Sequence, residues 1–399
     1  MPDPLTWLDD ALADLDRRGL QRRLIERAGP QRGDHIEIAG QPLINFGSND
    51  YLGLASDPKI LSAVHSAIDK EGFGSGASPL VTGRSSLHAE LERKLAEFEG
   101  AEAALLFPTG YAANVGAITA LVGRGDAIYS DELNHASIID GCRLSGASVH
   151  IYRNSAAHTG DASCEQLEKD LARGSQFRRR LIVTDSLFSM HGTIAALPRL
   201  AQLASKYDAM LMVDEAHATG VFGHHGRGLC EESGVESSVS IRVGTLSKAL
   251  GAHGGFVAGS QRLIDWLANR ARPYVFSTAA PPSIAAAAIA ALGIVNGEPE
   301  RRQKVLHLAD HLRTLLIQEN LIQPTSLSQI VPVILGEPAR AVAVASALRR
   351  QGFFVPAIRP PSVPENQSLL RISLTSRHTE SQINNLVTAL KNSLLNPEP

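Results

Sequence analysis

Short apolar runs alternate with helical segments through the middle of the chain. The apolar runs predict strands, which fall at 103–107, 126–130, 148–152, 180–184, 209–214 and 240–245. The segments around them have the apolar spacing or alternating charge of helices, and we place these at 86–99, 115–122, 165–173 and 197–207. Strands that alternate with helices form a parallel sheet wound by helices. The pattern therefore predicts an α/β fold with a large, doubly wound, mostly parallel sheet.

The pattern differs near both ends of the chain. Leucines recur at helical spacing near the N-terminus, at positions 5, 8, 12 and 15. After Pro281 an alanine-rich helix and a charged helix lead to strands at 330–335, 353–355 and 369–375. A chain of 399 residues is also long for one compact core. We therefore expect an N-terminal helical and strand segment (1–50), a large domain (51–280) and a smaller α+β domain (281–399).

Polar side chains follow several predicted strands at the point where each strand ends. They are Asp185, Ser189, Asp214, His217, Thr245 and Lys248. The carboxyl ends of parallel strands meet at one edge of a sheet, where ligands bind. The strand at 103–107 also turns into a helix at Gly110, and a helix N-terminus can hold a phosphate that approaches the backbone closely. This edge is therefore the predicted ligand site.

Lys248 stands among small and hydroxylic residues, and an apolar run ends on Asp214 with His217 three residues later. A lysine attacks a carbonyl when its amine is unprotonated, and partial burial lowers its pKa. A carboxylate beside a ring nitrogen favours the protonated ring, which then accepts electrons. We therefore expect pyridoxal phosphate on Lys248, Asp214 at the ring nitrogen, His217 at the phenolic oxygen, and His135 stacked on the ring.

Each of these residues also has an ordinary structural interpretation. Lysines between small residues are commonly exposed, an aspartate after a strand commonly caps a helix, and a single histidine is commonly structural. Asn49 and Asp50 lie where side chains bond the local backbone, and the adjacent Arg22 and Arg23 are typical of a solvated face. The glycine-rich loop at 73–83 has neither the dinucleotide-binding nor the Walker pattern. On the residues alone these alternatives stay open.

Composition and charge argue against several classes of function. A net charge of −3 gives no electrostatic case for nucleic acid. Three widely spaced cysteines suit a reducing cytoplasm, and adjacent His224 and His225 rarely bind one metal, so we expect no metal site. The uncharged stretch 273–297 is divided by two prolines and predicts a buried helix rather than a membrane span. The N-terminus lacks the apolar core of a signal peptide.

Seven motifs resemble those of a known enzyme family. They are Asn49-Asp-Tyr-Leu-Gly-Leu, Gly74-Ser-Gly-Ala-Ser, Thr109-Gly-Tyr-Ala-Ala-Asn, Asn134-His-Ala-Ser, Phe188-Ser-Met, Val213-Asp-Glu-Ala-His-Ala-Thr-Gly and Thr245-Leu-Ser-Lys. From about Gly19 to Leu390 the chain resembles the α-oxoamine synthases, a branch of the fold-type-I pyridoxal phosphate enzymes. The resemblance implies the fold of that group, with a large doubly wound sheet domain and a smaller C-terminal domain.

The resemblance implies a role for the residues around the cofactor ring. Lys248 would hold the cofactor as a Schiff base and act as catalytic base. Asp214 would pair with the ring nitrogen, and His217 and Ser189 would address the phenolic side. His135 would stack on the ring and also contact substrate.

The resemblance also implies contacts to the cofactor phosphate. Gly110 and Tyr111 would lie beside the phosphate, and Thr245 would bind it. Ser277 and Thr278 resemble a phosphate contact donated by the neighbouring subunit. A homodimer with a shared active site is therefore expected.

The expected substrate contacts lie near both ends of the chain. Arg22, Asn49 and Ser362 resemble substrate-binding residues, and Arg371 would bind the amino-acid carboxylate as a bidentate pair. Arg23 leaves the register of the N-terminal arginine open, and Pro79 replaces an arginine common in relatives with other substrates.

The loop at 357–364 and the strand after it resemble one branch of the family. The resemblance implies decarboxylative condensation of L-alanine with a pimeloyl group on coenzyme A or on a carrier protein. The alternative is a sister enzyme that condenses glycine or serine with another acyl thioester. An aldolase, an aminotransferase and a scaffold without activity are more distant alternatives.

Overall fold

The structure is a computed structural model and describes residues 3–154, 162–323 and 327–395. It divides into two compact units. The larger unit comprises Leu52–Ser189 and Thr193–Gln303, and the smaller unit comprises Met1–Tyr51, Met190–Gly192 and Lys304–Pro399.

A seven-stranded sheet forms the centre of the larger unit. Its strands are β4 (Ala103–Phe107), β5 (Ala127–Asp131), β6 (Ser148–Tyr152), β7 (Arg180–Asp185), β8 (Met210–Asp214), β9 (Ile241–Thr245) and β10 (Gly255–Gly259). They lie in the order β4-β10-β9-β8-β7-β5-β6, and β10 runs antiparallel to both of its neighbours. The strands from β5 to β9 pair in parallel. The predicted mostly parallel sheet is therefore confirmed.

Helices connect the strands of the larger unit, and several of them pack against the sheet. They are α2 (Pro58–Glu71), α3 (Ser86–Glu99), α4 (Gly110–Leu121), α5 (Ala136–Ser145), α6 (Ala162–Ala172), α7 (Leu197–Lys206), α8 (Leu229–Glu232), α9 (Gln261–Arg270), α10 (Arg272–Val275) and α11 (Pro282–Gly297), with a π turn at Pro79–Gly83 and a 3-10 turn at Glu236–Ser238. Apolar residues of α4, α5 and α9 share one core cluster with the central strands. This core fixes the strand ends that carry the polar residues described below.

The smaller unit contains two sheets. The first joins β1 (Arg27–Arg32), β2 (His35–Ile38), β3 (Gln41–Asn45) and β12 (Phe353–Phe354), and the second joins β11 (Ile330–Gly336), β14 (Ser368–Ser373) and β13 (Ala357–Ile358). Its helices are α1 (Trp7–Arg17), α12 (Glu300–Gln318), which begins in the larger unit, α13 (Pro338–Arg350) and α14 (Glu380–Leu395).

The two units differ from the sequence-based division in two respects. The N-terminal segment belongs with the C-terminal region, because β3 pairs in parallel with β12. Residues 281–303 belong to the larger unit, because α11 packs against α2 and α3. Helix α11 contains most of the uncharged stretch and is largely buried. Across residues 3–154, 162–323 and 327–395, no helix is both long and apolar enough to cross a membrane.

Candidate active site

The carboxyl ends of β7, β8 and β9 bring polar side chains together in the larger unit. Asp185 and Asp214 are partners in the register of β7 and β8, and Thr245 ends β9. We call the group formed by Asn114, His135, Asp185, Asp214 and Thr245 the polar edge. Three of the six residues predicted from the sequence end these three strands, and Ser189, His217 and Lys248 lie in the loops that follow.

Asp214 is buried and accepts two hydrogen bonds through its carboxylate. Asn114 Nδ2 donates to Oδ2 over 2.6 Å, and the backbone amide of Ala216 donates to Oδ1 over 2.8 Å. Each carboxylate oxygen thus has its own donor, and the two donors fix the plane of the group. The end of β8 therefore presents an oriented carboxylate, as expected for a partner of a protonated ring nitrogen.

His135 lies immediately before α5 and caps it. Its Nδ1 accepts the backbone amide of Ser137 over 3.3 Å and lies 2.7 Å from Ser137 Oγ. Burial lowers the pKa of His135; Asp214 opposes this effect, and Lys248 adds to it. His135, Asp214 and Lys248 are therefore close enough to interact electrostatically.

Lys248 lies in a closed loop between β9 and β10. The amide of Leu246 and the hydroxyl of Thr245 both donate to Gly254 O, over 3.0 and 2.9 Å. The amide of Gly254 in turn donates to Ser247 Oγ over 3.1 Å. Because both ends of the loop are held together, the half-buried Lys248 is presented from a fixed base.

The N-terminus of α4 lies against the end of β9 and the start of β10. Thr109 Oγ1 caps α4 by accepting the amide of Ala112 over 3.0 Å. In the described parts of the chain, the amides of Gly110 and Tyr111 have no acceptor. A Cβ on Gly255 would lie 2.5 Å from Gly110 N, so only glycine allows this approach. The arrangement suits an anion at the helix N-terminus.

The remaining cofactor candidates differ in their surroundings. Tyr111 is exposed, and its hydroxyl donates to the carboxylate of Asp140, which raises the pKa of Tyr111. Ser277 and Thr278 follow α10 and line a cavity that also contains Pro79. His217 is buried, and Ser189 is half-buried. The structure brings neither Tyr111 nor Thr278 into the buried hydrogen-bond network of the polar edge.

Arg371 is a second buried polar centre, in the smaller unit. Its Nη1 donates to Asn49 Oδ1 over 2.9 Å, and its Nη2 donates to the hydroxyl of Tyr51 over 3.2 Å. Burial raises the pKa of Tyr51, and the charge of Arg371 opposes this effect. Two of the four substrate contacts expected near the chain ends are thus in direct contact with each other.

Arg22 and Ser362 also meet in the smaller unit, but more loosely. The guanidinium of Arg22 lies 3.5 Å from Ser362 Oγ, and Arg22 is exposed. Arg359 of the same loop bonds to the carbonyl of Gly19. The N-terminal segment therefore contacts the 359–362 loop, as the joint substrate role expected for Arg22 and Ser362 requires.

Sequence reasoning missed three residues of these networks. Asn114 and Tyr51 were noted only as parts of motifs, and Ser137 likewise followed the expected ring-stacking histidine. Both Asn114 and Tyr51 are polar residues within largely apolar buried surroundings. That feature was the available signal, because buried polar groups are nearly always hydrogen-bonded.

The larger unit has the set of groups that pyridoxal phosphate requires. It offers a half-buried lysine, an oriented carboxylate, an imidazole that caps α5, and two helix-start amides beside a threonine. These groups match an aldehyde, a ring nitrogen, a ring face and a phosphate. In the described residues, no group of three or more histidine, cysteine, aspartate or glutamate side chains is arranged to hold a metal ion.

Comparisons with known proteins agree with this set of groups. A family model described as aminotransferase class I and II matches residues 41–390. A protein named 8-amino-7-oxononanoate synthase, from Anaeromyxobacter dehalogenans strain 2CP-1, is 48% identical over 386 residues. The match covers 97% of this chain and 95% of that relative.

Two solved structures are similar over most of the chain. A serine palmitoyltransferase from S. paucimobilis, with a bound PLP–myriocin aldimine, is 32% identical with a TM-score of 0.91, and the match covers 98% of both chains. An 8-amino-7-oxononanoate synthase from Francisella tularensis is 28% identical with a TM-score of 0.75, and the match covers 88% of this chain and 98% of that chain.

Proposed function

We propose that this chain, which belongs to the aminotransferase class I and II family, condenses L-alanine with a pimeloyl thioester. The products are 8-amino-7-oxononanoate, CO2 and a free thiol, in biotin biosynthesis. The 48% identity to an 8-amino-7-oxononanoate synthase over 97% of this chain carries the proposal. The expected α-oxoamine synthase resemblance, the fold class and the pyridoxal phosphate cofactor are confirmed by the family match and the solved structures.

The residues of the larger unit supply the base and the electrostatics of this reaction. Bound pyridoxal phosphate supplies a carbonyl that combines with amines and a ring that withdraws electrons from the amino-acid Cα. Lys248 Nζ would hold the cofactor and would act as the general base for the Cα proton of alanine. Asp214 would pair with the protonated ring nitrogen, and His217 and Ser189 would address the phenolic side. His135 would stack on the ring and exclude water from that face.

The bonds of the overall reaction balance with one proton taken up from solvent. The Cα of alanine forms a bond to the acyl carbon while the C–S bond breaks and the thiol leaves. The alanine carboxylate then leaves as CO2, and a proton returns to Cα. Arg371 would bind the alanine carboxylate before that loss, beside Asn49, while Arg22 and Ser362 would contact the acyl substrate. The buried, already bonded state of Arg371 supports this role.

We further propose a homodimer in which Ser277 and Thr278 reach the cofactor phosphate of the partner, while Gly110, Tyr111 and Thr245 reach it within one chain. Mixing a Lys248→Ala protein with a Thr278→Ala protein tests this sharing. In each heterodimer one shared site would carry both substitutions and the other site would carry neither. Random mixing makes half of the dimers heterodimers, so about a quarter of wild-type activity would be restored. No recovery on mixing would contradict the shared site. We place the protein in the cytoplasm, supported by three buried cysteines that are free thiols.

The substrate assignment is tested by supplying alanine, glycine and serine separately with pimeloyl-CoA and measuring thiol release. Alanine is expected to give the highest kcat/KM, and Lys248→Ala is expected to give none. Turnover with serine alone would favour the sister activity, which the likeness to a serine palmitoyltransferase at a TM-score of 0.91 keeps as the second candidate. Repeating the assay with pimeloyl on an acyl-carrier protein identifies the preferred thioester.

A further inference from the structure

Asn114 connects two residues of the proposed active site. It lies on α4, is 1% exposed, and donates from Nδ2 both to Asp214 Oδ2 over 2.6 Å and to Ser137 Oγ over 2.9 Å. A carboxylate accepts hydrogen bonds and cannot donate them, so the amide nitrogen must face Asp214. With the Ala216 amide on the other oxygen, both oxygens of Asp214 are held by donors.

Ser137 continues the chain of hydrogen bonds to His135. The backbone amide of Ser137 points at His135 Nδ1, and an amide can only donate. Nδ1 must therefore carry a lone pair. Ser137 Oγ accepts from Asn114 and lies 2.7 Å from Nδ1, so its own proton faces Nδ1 as well. The neutral ring consequently has its proton on Nε2.

The surrounding charges are consistent with a neutral ring in a charged setting. Lys248 lowers the pKa of His135, whereas Asp214 raises it. Asp185 Oδ2 accepts a hydrogen bond from the His135 backbone amide over 2.7 Å. The ring also caps the N-terminus of α5, where the helix dipole disfavours a positive charge. Burial lowers the pKa of His135 and acts in the same direction.

We propose that Asn114 and Ser137 are positioning residues that orient the Asp214 carboxylate and fix the protonation state of His135 through one chain of hydrogen bonds. Asp214 is held as an oriented carboxylate, and His135 is held neutral with its proton on Nε2. The ring that stacks on the cofactor then offers a single N–H donor and no positive charge. The inference rests on the proposed function for the use of the two groups, but the orientation of Asp214 and the protonation state of His135 belong to the protein alone.

Nitrogen-15 NMR of the cofactor-free protein tests the His135 half of the proposal. With the His135 signal assigned from a His135→Gln variant, the wild type is expected to show the neutral Nε2–H form at pH 7. Ser137→Ala removes the hydroxyl donor but keeps the backbone amide donor, so the Nδ1 resonance is expected to shift while the ring keeps its proton on Nε2, and Ser137→Thr retains the wild-type signal.

Ser145→Ala is the matched control for that experiment. Ser145 lies on the same helix, and its hydroxyl also bonds the backbone, to Cys142 O over 2.7 Å. Its loss is expected to leave the His135 signal unchanged. A wild-type ring with its proton on Nδ1, or a Ser137→Ala spectrum identical to the wild type, would overturn the proposal.

Pyridoxal phosphate affinity tests the Asp214 half. Asn114→Leu keeps the side-chain size but removes both donors, so the dissociation constant is expected to rise on the order of 10- to 100-fold. In an Asp214→Ala background the same change is expected to shift affinity by less than about twofold, because no acceptor for Asn114 Nδ2 remains at position 214. An equal loss in both backgrounds would contradict the proposal. Asn114→Ser, smaller and polar, replaces Asn114→Leu if circular dichroism shows that the leucine variant does not fold.

Thr119→Val controls for changes in α4 itself. Thr119 is on the same helix and bonds only its own backbone, at Val115 O over 2.7 Å, among the hydrogen bonds described. Its affinity for pyridoxal phosphate is expected to match the wild type within about twofold. A protein that passes both tests but does not condense alanine would contradict the proposed function and leave this inference intact.

Discussion

Asp214 in the polar edge and Arg22 in the N-terminal segment are both proposed active-site charges, but their settings differ. Asp214 is 5% exposed and accepts hydrogen bonds of 2.6 and 2.8 Å. Arg22 is exposed, and its contact to Ser362 is 3.5 Å long. One charge is oriented before any ligand arrives, whereas the other is free to adjust to a ligand.

This difference indicates which kinetic parameter a substitution of each charge should change. A charge in a low-dielectric site interacts strongly and needs no reorganisation during the reaction. An exposed ion pair is weakened by solvent and by the entropy of two long side chains. We therefore expect buried residues to affect kcat and cofactor binding, and exposed residues to affect KM by small factors.

Asp214→Ala should lower kcat/KM more than any other single substitution of these charges. It removes the carboxylate and leaves the donors of Asn114 and Ala216 without their acceptor. We expect kcat/KM to fall at least about 1,000-fold, the scale seen when a preorganised electrostatic contact to the reacting centre is lost. Thiol release under steady-state conditions measures this change.

Asp208→Asn is the matched control for that substitution. Asp208 precedes the same strand, β8, at its opposite end and is fully exposed. Its backbone φ of 48° is one that asparagine tolerates. Activity within about twofold of wild type is expected, and a comparable loss in both variants would remove the contrast between buried and exposed charges.

The contrast also explains how much of the site could be predicted. Asp214 and Lys248 were predictable because apolar runs mark the strands and the polar residues follow directly. The partner of Asp214 was not, because Asn114 lies 100 residues away on another element. Side-chain pairing over that distance depends on packing that no local pattern encodes.

The same limit applies to the fold. Six of the seven strands of the large sheet followed from apolar runs and lie within a few residues of the prediction, whereas the antiparallel strand β10 was not predicted. The pairing of β3 with β12 joins Ile44 to Phe353, and only tertiary structure reveals it. The sequence therefore predicted the elements better than the membership of each compact unit.

A buried and an exposed histidine extend the comparison to pH. His378 is fully buried, stacks on Phe46 at 4.2 Å, and accepts the Thr375 amide at Nδ1. Burial lowers its pKa to about 4. Between the unfolded pKa of about 6.5 and the folded pKa of about 4, the unfolded chain binds more protons than the folded chain. The free energy of unfolding therefore decreases as the pH is lowered through this range, by up to about 3 kcal/mol.

Urea unfolding at pH 7, 6 and 5 measures that dependence. His378→Asn should lower stability at every pH but flatten the loss between pH 7 and 5. His307→Gln replaces an exposed histidine of α12 that lies 3.2 Å from Glu380, and it should leave the slope close to wild type. An unchanged slope in His378→Asn would show that other groups dominate acid sensitivity.

Arg371→Lys tests the buried centre of the smaller unit at a smaller scale. Lysine keeps the positive charge but loses the fork that contacts Asn49 and Tyr51 together. We expect KM for alanine to rise about 10- to 100-fold, with a smaller change in kcat. The exposed Arg340→Lys is the control and should not change KM. A KM for alanine unaffected by Arg371→Lys would argue against Arg371 as the carboxylate anchor.

The smallest effect is expected at Arg22, and it decides between two adjacent arginines. Arg22 contacts Ser362, whereas Arg23 has no hydrogen bond or ion pair within residues 3–154, 162–323 and 327–395. We expect Arg22→Ala to raise KM for pimeloyl-CoA by less than about tenfold, since an exposed charge contributes little, and Arg23→Ala to leave it unchanged. The Arg22 effect should shrink at high salt, because screening weakens exposed charges first. If Arg23→Ala had the larger effect, the register of the substrate arginine would move by one residue, and the contact to Ser362 would be structural.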